Sequence, residues 1–305
     1  MRKLLAALFL SSLLPLAACG VHRPAEVPLA PQPPPWNGEV RGQVEVIPLL
    51  TGEIKVPRSV LLDLDHPAMK DVGDEEVWVP VLAYLVRHTR QGYVLIDTGF
   101  DASFAQSGHG NFGGLAKLVT IGRQKPGHDT VSLLRELGVD PAALKMIVLS
   151  HMHADHTAGL PALPKEVPVV TGPNATKSHE VLWYAPHDHL EGREAVHALE
   201  LDESGVLDLF GDGSLLVFAT PGHAEGNLSF LVHTKNGATL LTCDASHTRE
   251  GFEQGIAPGK TVDAEAAKRS LDRLRRYLDE HPETRIKAGH DPDDWDLSRG
   301  IQDAL

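Results

Sequence analysis

The sequence predicts an α/β fold, and three observations carry the prediction. Apolar runs of strand length recur from residue 40 onward. Two stretches with helical spacing and end signals, 129–137 and 263–280, interrupt them. At four places a histidine or aspartate stands directly after an apolar run, as expected if strand ends deliver side chains to a common rim.

Residues 1–19 stand apart from this pattern. Arg2 and Lys3 give a basic start, 4–16 form an apolar stretch too short for a stable membrane span, and Leu16-Ala17-Ala18-Cys19 closes it. This resembles a bacterial lipoprotein signal, in which Cys19 carries lipid and becomes the mature N-terminus. The resemblance implies an exported, periplasmic, lipid-anchored protein. Gly20 after the cysteine, in place of an aspartate, implies the outer membrane of a Gram-negative cell. A plain secretory signal is the alternative, and either places the protein outside the cytoplasm. Residues 20–38 hold Pro24, Pro28, Pro31, Pro33, Pro34 and Pro35. Such a stretch predicts an extended tether that joins neither sheet nor helix, at about 3.1 Å per residue. One domain, 39–305, follows it.

Within that domain the early strand signals are 44–47, 77–79, the nearly continuous apolar run 81–86, and 93–96, which ends at Asp97-Thr98-Gly99. Residues 104–127 are rich in glycine and poor in strand formers. They read as a mobile loop, either over the active site or as a plain surface excursion. Asp129 is a good N-cap for the helix at 129–137, Leu133, Leu134 and Leu137 give it an apolar face, and Gly138 marks its exit. Asp140-Pro141 begins another helical turn. Further strands are expected at 167–170, 215–218, 228–232 and 240–242. Ala267, Leu271, Leu274 and Leu278 recur at helical spacing in 263–280, with Pro282 just beyond. A short strand at 285–288 leads into Gly289-His290-Asp291.

Composition excludes several function classes. Hydrophobic residues at 42% and charged residues at 23% describe an ordinary globular chain. A formal net charge of -13 argues against a nucleic-acid partner, which needs a basic face. Cys19 and Cys243 are the only cysteines, so no internal disulfide framework exists, and Cys243 reads as a small buried hydrophobe. No Gly-x-Ser-x-Gly elbow points to a serine nucleophile.

The chemistry concentrates in His151-Met152-His153-Ala154-Asp155-His156, directly after the apolar run 146–150. Imidazoles and carboxylates are the ligands of zinc and neighbouring divalent ions. An extended chain puts His151 and His153 on one side, and a tightening after Ala154 turns Asp155 and His156 toward a second position. That spacing suits two adjacent metals better than one. His223 in Thr220-Pro221-Gly222-His223, Asp244 after 240–243, and His290 after 286–289 repeat the strand-end placement.

Together these motifs resemble the metallo-β-lactamase superfamily from about residue 77 to 291. The resemblance implies an αββα sandwich, two mixed β-sheets flanked by helices. It implies that His151, His153 and His223 hold one metal and that Asp155, His156 and His290 hold a second, with Asp244 bridging. Asp97 would orient a ligand histidine. Two divalent ions, with zinc expected, would share a hydroxide that attacks an ester-like bond, and Asp155 would relay a proton to the leaving group.

The stretches 95–99, 149–156, 244–248 and 289–291 are most similar to N-acyl-homoserine lactone lactonases, the quorum-quenching enzymes. This implies a small-molecule lactone substrate. A glyoxalase II-type thioesterase, a β-lactam hydrolase and a non-catalytic metal-binding protein of the same fold are the alternatives. Those lactonases often place a tyrosine shortly before the T-P-G-H strand, whereas Tyr184 lies far upstream of it. Tyr184 and His247 are the candidate substrate contacts. His187-Asp188-His189 reads as a solvated loop. Nothing in the sequence indicates an oligomeric state.

Overall fold

Apolar alternation along the strands decides which side chains meet, and it assembles two sheets face to face. The computed structural model describes residues 24–113, 120–177, 187–201 and 205–305. In chain order the strands are β1 (Ala25–Pro28), β2 (Val44–Pro57), β3 (Glu76–His88), β4 (Gly92–Ile96), β5 (Ile121–Arg123), β6 (Leu144–Val148), β7 (Val169–Thr171), β8 (Ala195–Ala198), β9 (Val206–Asp208), β10 (Leu215–Ala219), β11 (Leu228–Thr234), β12 (Gly237–Leu241) and β13 (Arg285–Lys287). The helices are α1 (Arg58–Leu61), α2 (Thr130–Glu136), α3 (Ala154–Thr157), α4 (Arg249–Gln254) and α5 (Ala264–Glu280).

An eight-stranded sheet runs β1-β8-β7-β6-β4-β3-β2-β5, and a five-stranded sheet runs β13-β12-β11-β10-β9. From β1 to β4 the first sheet is parallel, and from β4 to β5 it is antiparallel. Val46, Tyr84, Val86, Val94 and Ile96 of this sheet meet Leu215, Val217, Phe230 and Val232 of the other. The intervening Ile47, Leu49, Leu85 and Leu95 point the opposite way, onto Leu133 and Leu134 of α2. On the far side of the molecule, Leu216, Phe218 and Leu231 pack against Leu271 and Leu274 of α5. The αββα order follows from these two-sided strands. Asp129 and Asp263 cap α2 and α5, accepting from Ser132 N and Ala266 N.

Four expectations need correcting. The runs at 77–79 and 81–86 are one strand, β3, that passes through Pro80. A proline is tolerated there because β3 pairs with β4 only from Tyr84 onward. The signal at 44–47 is the start of a 14-residue strand, whose Thr51-Gly52 is a bulge rather than a break.

The proline-rich stretch is not a free tether in its described part. β1 adds to the sheet beside β8, and the Glu26 carboxylate accepts from Asn174 N, Thr176 N and Thr176 Oγ1 at 2.8, 3.1 and 2.8 Å. Pro34 O then accepts from Asp208 N at 2.9 Å, and Pro35 bridges Leu207. At a sheet edge the missing proline donor costs no ladder bond, so prolines can lie flat there.

The glycine-rich 104–127 segment is likewise pinned in its described part. Phe104 stacks on Phe100 with ring centroids 3.8 Å apart, Phe112 sits edge-on to both, and β5 pairs with β2. Burying each ring stabilises by about 1.5–3 kcal/mol, which offsets the freedom of the glycines. Among the described residues no helix is long and apolar enough to cross a membrane.

Candidate metal centre

All the ligand-type residues sit on the rim where strands of both sheets end. After β6 the chain stays extended through His153, then tightens into α3, which carries Asp155 and His156. After β10, Gly222 turns with φ +133, and a Cβ there would lie 2.0 Å from Ala267 N. Glycine thus lets the T-P-G-H loop rest on the start of α5 and sets His223. Asp244 stands in the short turn Cys243–Ala245 after β12, and His290 follows β13. Asp97 and Cys243 adopt φ of 54 and 45, backbone strain of the kind that gathers at functional sites.

Asp244 is the hub. Its Oδ2 lies 3.3 Å from His223 Nε2, 3.3 Å from His290 Nε2 and 3.7 Å from His151 Nε2, while Oδ1 lies 3.4 Å from His156 Nε2. Asp155 Oδ2 is 3.7 Å from His156 Nε2 and 3.6 Å from His290 Nε2, and His153 Nδ1 is 2.9 Å from His223 Nε2. Ligands about 2.0–2.2 Å from a tetrahedral zinc stand about 3.3–3.6 Å from one another. The groups that can hold an ion are therefore His151, His153, His223 and Asp244 on one side, and Asp155, His156 and His290 on the other.

Tautomers point the same way. His223 Nδ1 sits 2.9 Å from Lys260 O, His290 Nδ1 2.8 Å from Pro80 O, and His156 Nδ1 2.8 Å from Asp97 Oδ2. Each such N–H donates outward, which turns the Nε2 lone pair to the centre. Asp97 is itself held, accepting from Ser150 N and Ser150 Oγ at 2.7 Å each. His151 Nε2, His156 Nε2 and Asp244 Oδ1 are buried and make no hydrogen bond. Leaving each so would cost about 1–3 kcal/mol, and a cation between them removes that cost. The donor set fits a pair of divalent ions.

Electrostatics set the two halves of the centre apart, and the carboxylates concentrate negative potential where a cation would sit. Burial, followed by the neighbouring histidines, holds His151 neutral with its pKa well below the usual histidine range. Burial opposes charge on His156 too, but Asp244, Asp97 and Asp155 overcome it and raise its pKa. Burial, helped by Asp97 and Asp244, pushes the Cys243 thiol up. A protonated thiol within the core is no metal ligand.

A small cleft, partly open to solvent, lies above the centre. His153, Asp155, His223, Asp244, His247 and His290 line it at the polar end, and Ile54, Val56, Val60, Leu61 and Val79 form an aliphatic wall, with Lys260 also lining it. The arrangement suits a polar reacting group attached to an apolar arm.

The structure gathers the seven expected ligands and Asp97 into one place. His247 joins them: its Nε2 is 3.1 Å from Asp244 Oδ2, its Nδ1 is 3.1 Å from Leu61 O, and it lines the cavity. Tyr184 and Cys19 lie outside the described residues. The solvated-loop reading of 187–189 fails at His189, which is buried with Nδ1 2.8 Å from Thr157 Oγ1. Sequence reasoning missed Ser150, the aliphatic wall and the carbonyls that orient the histidines. Only Ser150, directly before the hexad, carried a local signal.

Three comparisons bear on this geometry. The profile of the metallo-beta-lactamase superfamily matches residues 77–290. The N-acyl homoserine lactonase AttM of Agrobacterium fabrum is 31% identical over 223 residues, covering 71% of this chain and 84% of that protein. AiiA of Bacillus thuringiensis subsp. kurstaki, also an N-acyl homoserine lactonase, is 30% identical over 225 residues, covering 70% and 82%. Among solved structures, a B. thuringiensis AiiA variant with N-decanoyl-L-homoserine at its active site superposes with a TM-score of 0.70 at 23% identity, covering 84% of this chain and 96% of that one. AidC, a dizinc quorum-quenching lactonase, gives 0.59 at 16% identity, covering 85% and 90%.

Proposed function

This chain belongs to the metallo-β-lactamase superfamily as a metal-dependent, lactonase-like hydrolase, and from that premise we propose that it opens N-acyl-homoserine lactones or closely related lactones with two zinc ions. The observation that carries this reading is the full ligand set around Asp244 beneath an aliphatic wall. The ligand set supports hydrolysis, the wall supports an acyl arm, and the lactonase relatives support the ring.

His151, His153 and His223 would hold one ion, Asp155, His156 and His290 the other, and Asp244 would be shared. Bound there, such ions supply Lewis acidity toward a carbonyl and a water acidic enough to react at neutral pH. The chain's own residues do the rest. Asp97 fixes His156 in one tautomer through a 2.8 Å contact. Ile54, Val56 and Val79 hold the acyl arm and exclude water from the reacting bond. Ring opening adds one water across the ring C–O bond: its oxygen goes to the acyl carbon, one of its protons to the leaving oxygen and the other to solvent, leaving a carboxylate and a hydroxyl. Asp155 faces the cavity and delivers the proton the leaving oxygen needs. His247, facing the same cavity, is the proposed contact to the substrate carbonyl.

Export and lipid anchoring through Cys19 complete the proposal. Mass analysis of the mature N-terminus tests it, and an unmodified Cys19 refutes it.

The function is tested by assaying the zinc-loaded protein on acyl-homoserine lactones, simple lactones, a glutathione thioester and a cephalosporin. Fastest turnover of the acyl lactones is expected, and rapid turnover of only the last two overturns it. Elemental analysis should find two zinc ions per chain, and one or none after zinc-replete expression overturns the di-metal centre.

A further inference from the structure

Each ion group contains one histidine whose outward nitrogen leads back to the same carboxylate. Asp97 stands directly after β4 and Ser150 lies two residues past β6, and these strands are neighbours with Ile96 opposite Val148. The left-handed backbone of Asp97 is pinned by its own N–H, which donates to Val148 O at 2.9 Å. Its carboxylate then meets Ser150, accepting from Ser150 N and Ser150 Oγ at 2.7 Å each. From the other sheet, Leu228 N at the start of β11 donates to Ser150 O at 2.8 Å. Both sheets therefore fix this serine, which is fully buried.

The partners of the hydroxyl leave one arrangement of hydrogens. A hydroxyl has one hydrogen to donate and two lone pairs, whereas a carboxylate only accepts. Asp97 Oδ2 takes the hydrogen of Ser150. His151 Nδ1, 3.1 Å from Ser150 Oγ, must then be the donor of that contact, as an Nδ1–H. His156 Nδ1 is farther from Oγ, at 3.3 Å, and gives its hydrogen to Asp97 Oδ2 at 2.8 Å. With hydrogen on Nδ1, His151 turns a bare Nε2 lone pair to the centre, where that buried atom makes no hydrogen bond.

We propose that Ser150 is a positioning residue whose hydroxyl relays the Asp97 carboxylate to His151, so that one carboxylate sets a ligand histidine of each ion group. This rests on the two-ion centre proposed above. Asp97 holds His156 directly and His151 at one remove. His223 and His290 are oriented separately, by the carbonyls of Lys260 and Pro80. The two ion groups thus share Asp244 between them and Asp97 on the outward nitrogens of their histidines.

The test uses the full zinc-loaded chain with isotope-labelled histidine. Proton NMR of the parent should show His151 carrying hydrogen on Nδ1, in slow exchange with solvent. Hydrogen on Nε2 instead overturns the relay, whether or not any variant folds. Ser150→Ala should speed that exchange and weaken one zinc ion by about 10–100-fold in chelator competition, with a much smaller change in the other. Ser150→Thr keeps the hydroxyl and should return both readings toward the parent. Asp97→Asn should weaken both ions, and adding Ser150→Ala to it should cost little more, because the serine acts through the carboxylate. Unchanged zinc affinity in Ser150→Ala overturns the relay. So does an equal loss at both ions, which marks a general loosening of the core. A parent that binds two zinc ions yet opens no lactone fails the lactonase reading alone. One that binds fewer than two fails the di-metal reading, and the His151 proton still decides the relay.

Discussion

The metal floor and the aliphatic wall meet in one cavity but are built in opposite ways. Every group on the floor comes from a strand end, and four of the seven ligands lie within six consecutive residues. The wall is drawn from the last part of β2, from α1 and from the early part of β3, far apart in sequence from the floor, and its residues are ordinary core aliphatics by type. Reaction class thus rests on local motifs, whereas substrate choice rests on tertiary contact. Changes on the floor should abolish turnover whatever the substrate, and changes on the wall should depend on the length of the acyl arm.

The largest effect is expected from Asp244→Ala. It removes the hub of both ion groups, so lactone turnover should disappear and metal content should fall below two per chain, and retained turnover with full metal would break the division. Asp97→Asn comes next. It leaves every ligand in place but loosens His156, which should cost about 10–100-fold in metal affinity or activity, read by chelator competition. Ile54→Ala should leave metal content intact and raise KM for long-chain lactones by about five- to thirtyfold, since about 1–2 kcal/mol of apolar contact is lost. An equal effect on a lactone without an acyl arm would show that the wall also shapes the floor.

The smallest effect lies outside both regions. Burial would raise the pKa of Asp212, but hydrogen bonds from Ser214 and His88 hold it down to about 2. Because its folded pKa is below the unfolded value of 3.8, its stabilisation is present above that pH and is lost as pH falls toward about 2. Asp212→Asn should therefore be less stable than the parent at neutral pH, and the gap in chemical-denaturation midpoints should close across that interval.

The same division explains how much was legible in the sequence. His151 to His156 could be read because strand and turn geometry act over a few residues, and the outlying His223, Asp244 and His290 each followed an apolar run. Helix ends were legible through Asp129 and Asp263, whose carboxylates cap their own helices. Ile54 and Val79 were not, since nothing in an aliphatic residue says which interior it will line. Nor were the Pro80 and Lys260 carbonyls, which act from 210 and 37 residues away from the histidines they orient. The strap was misread because proline forbids a ladder bond only where a donor is required, and edge strands require none on their outer side.

That strap has a consequence for solubility. An open sheet edge is a template on which a second chain can add a strand. Here one passage of chain occupies β8 with β1 and reaches β9 through Pro34 and Pro35, so both sheets are terminated at that side by a segment poor in free donors. A protein cut at residue 39, where composition alone would place the domain boundary, would bare the β8 edge. The leading segment is in that sense a stop codon for sheet growth, and a shortened protein is expected to self-associate even with its metal centre intact.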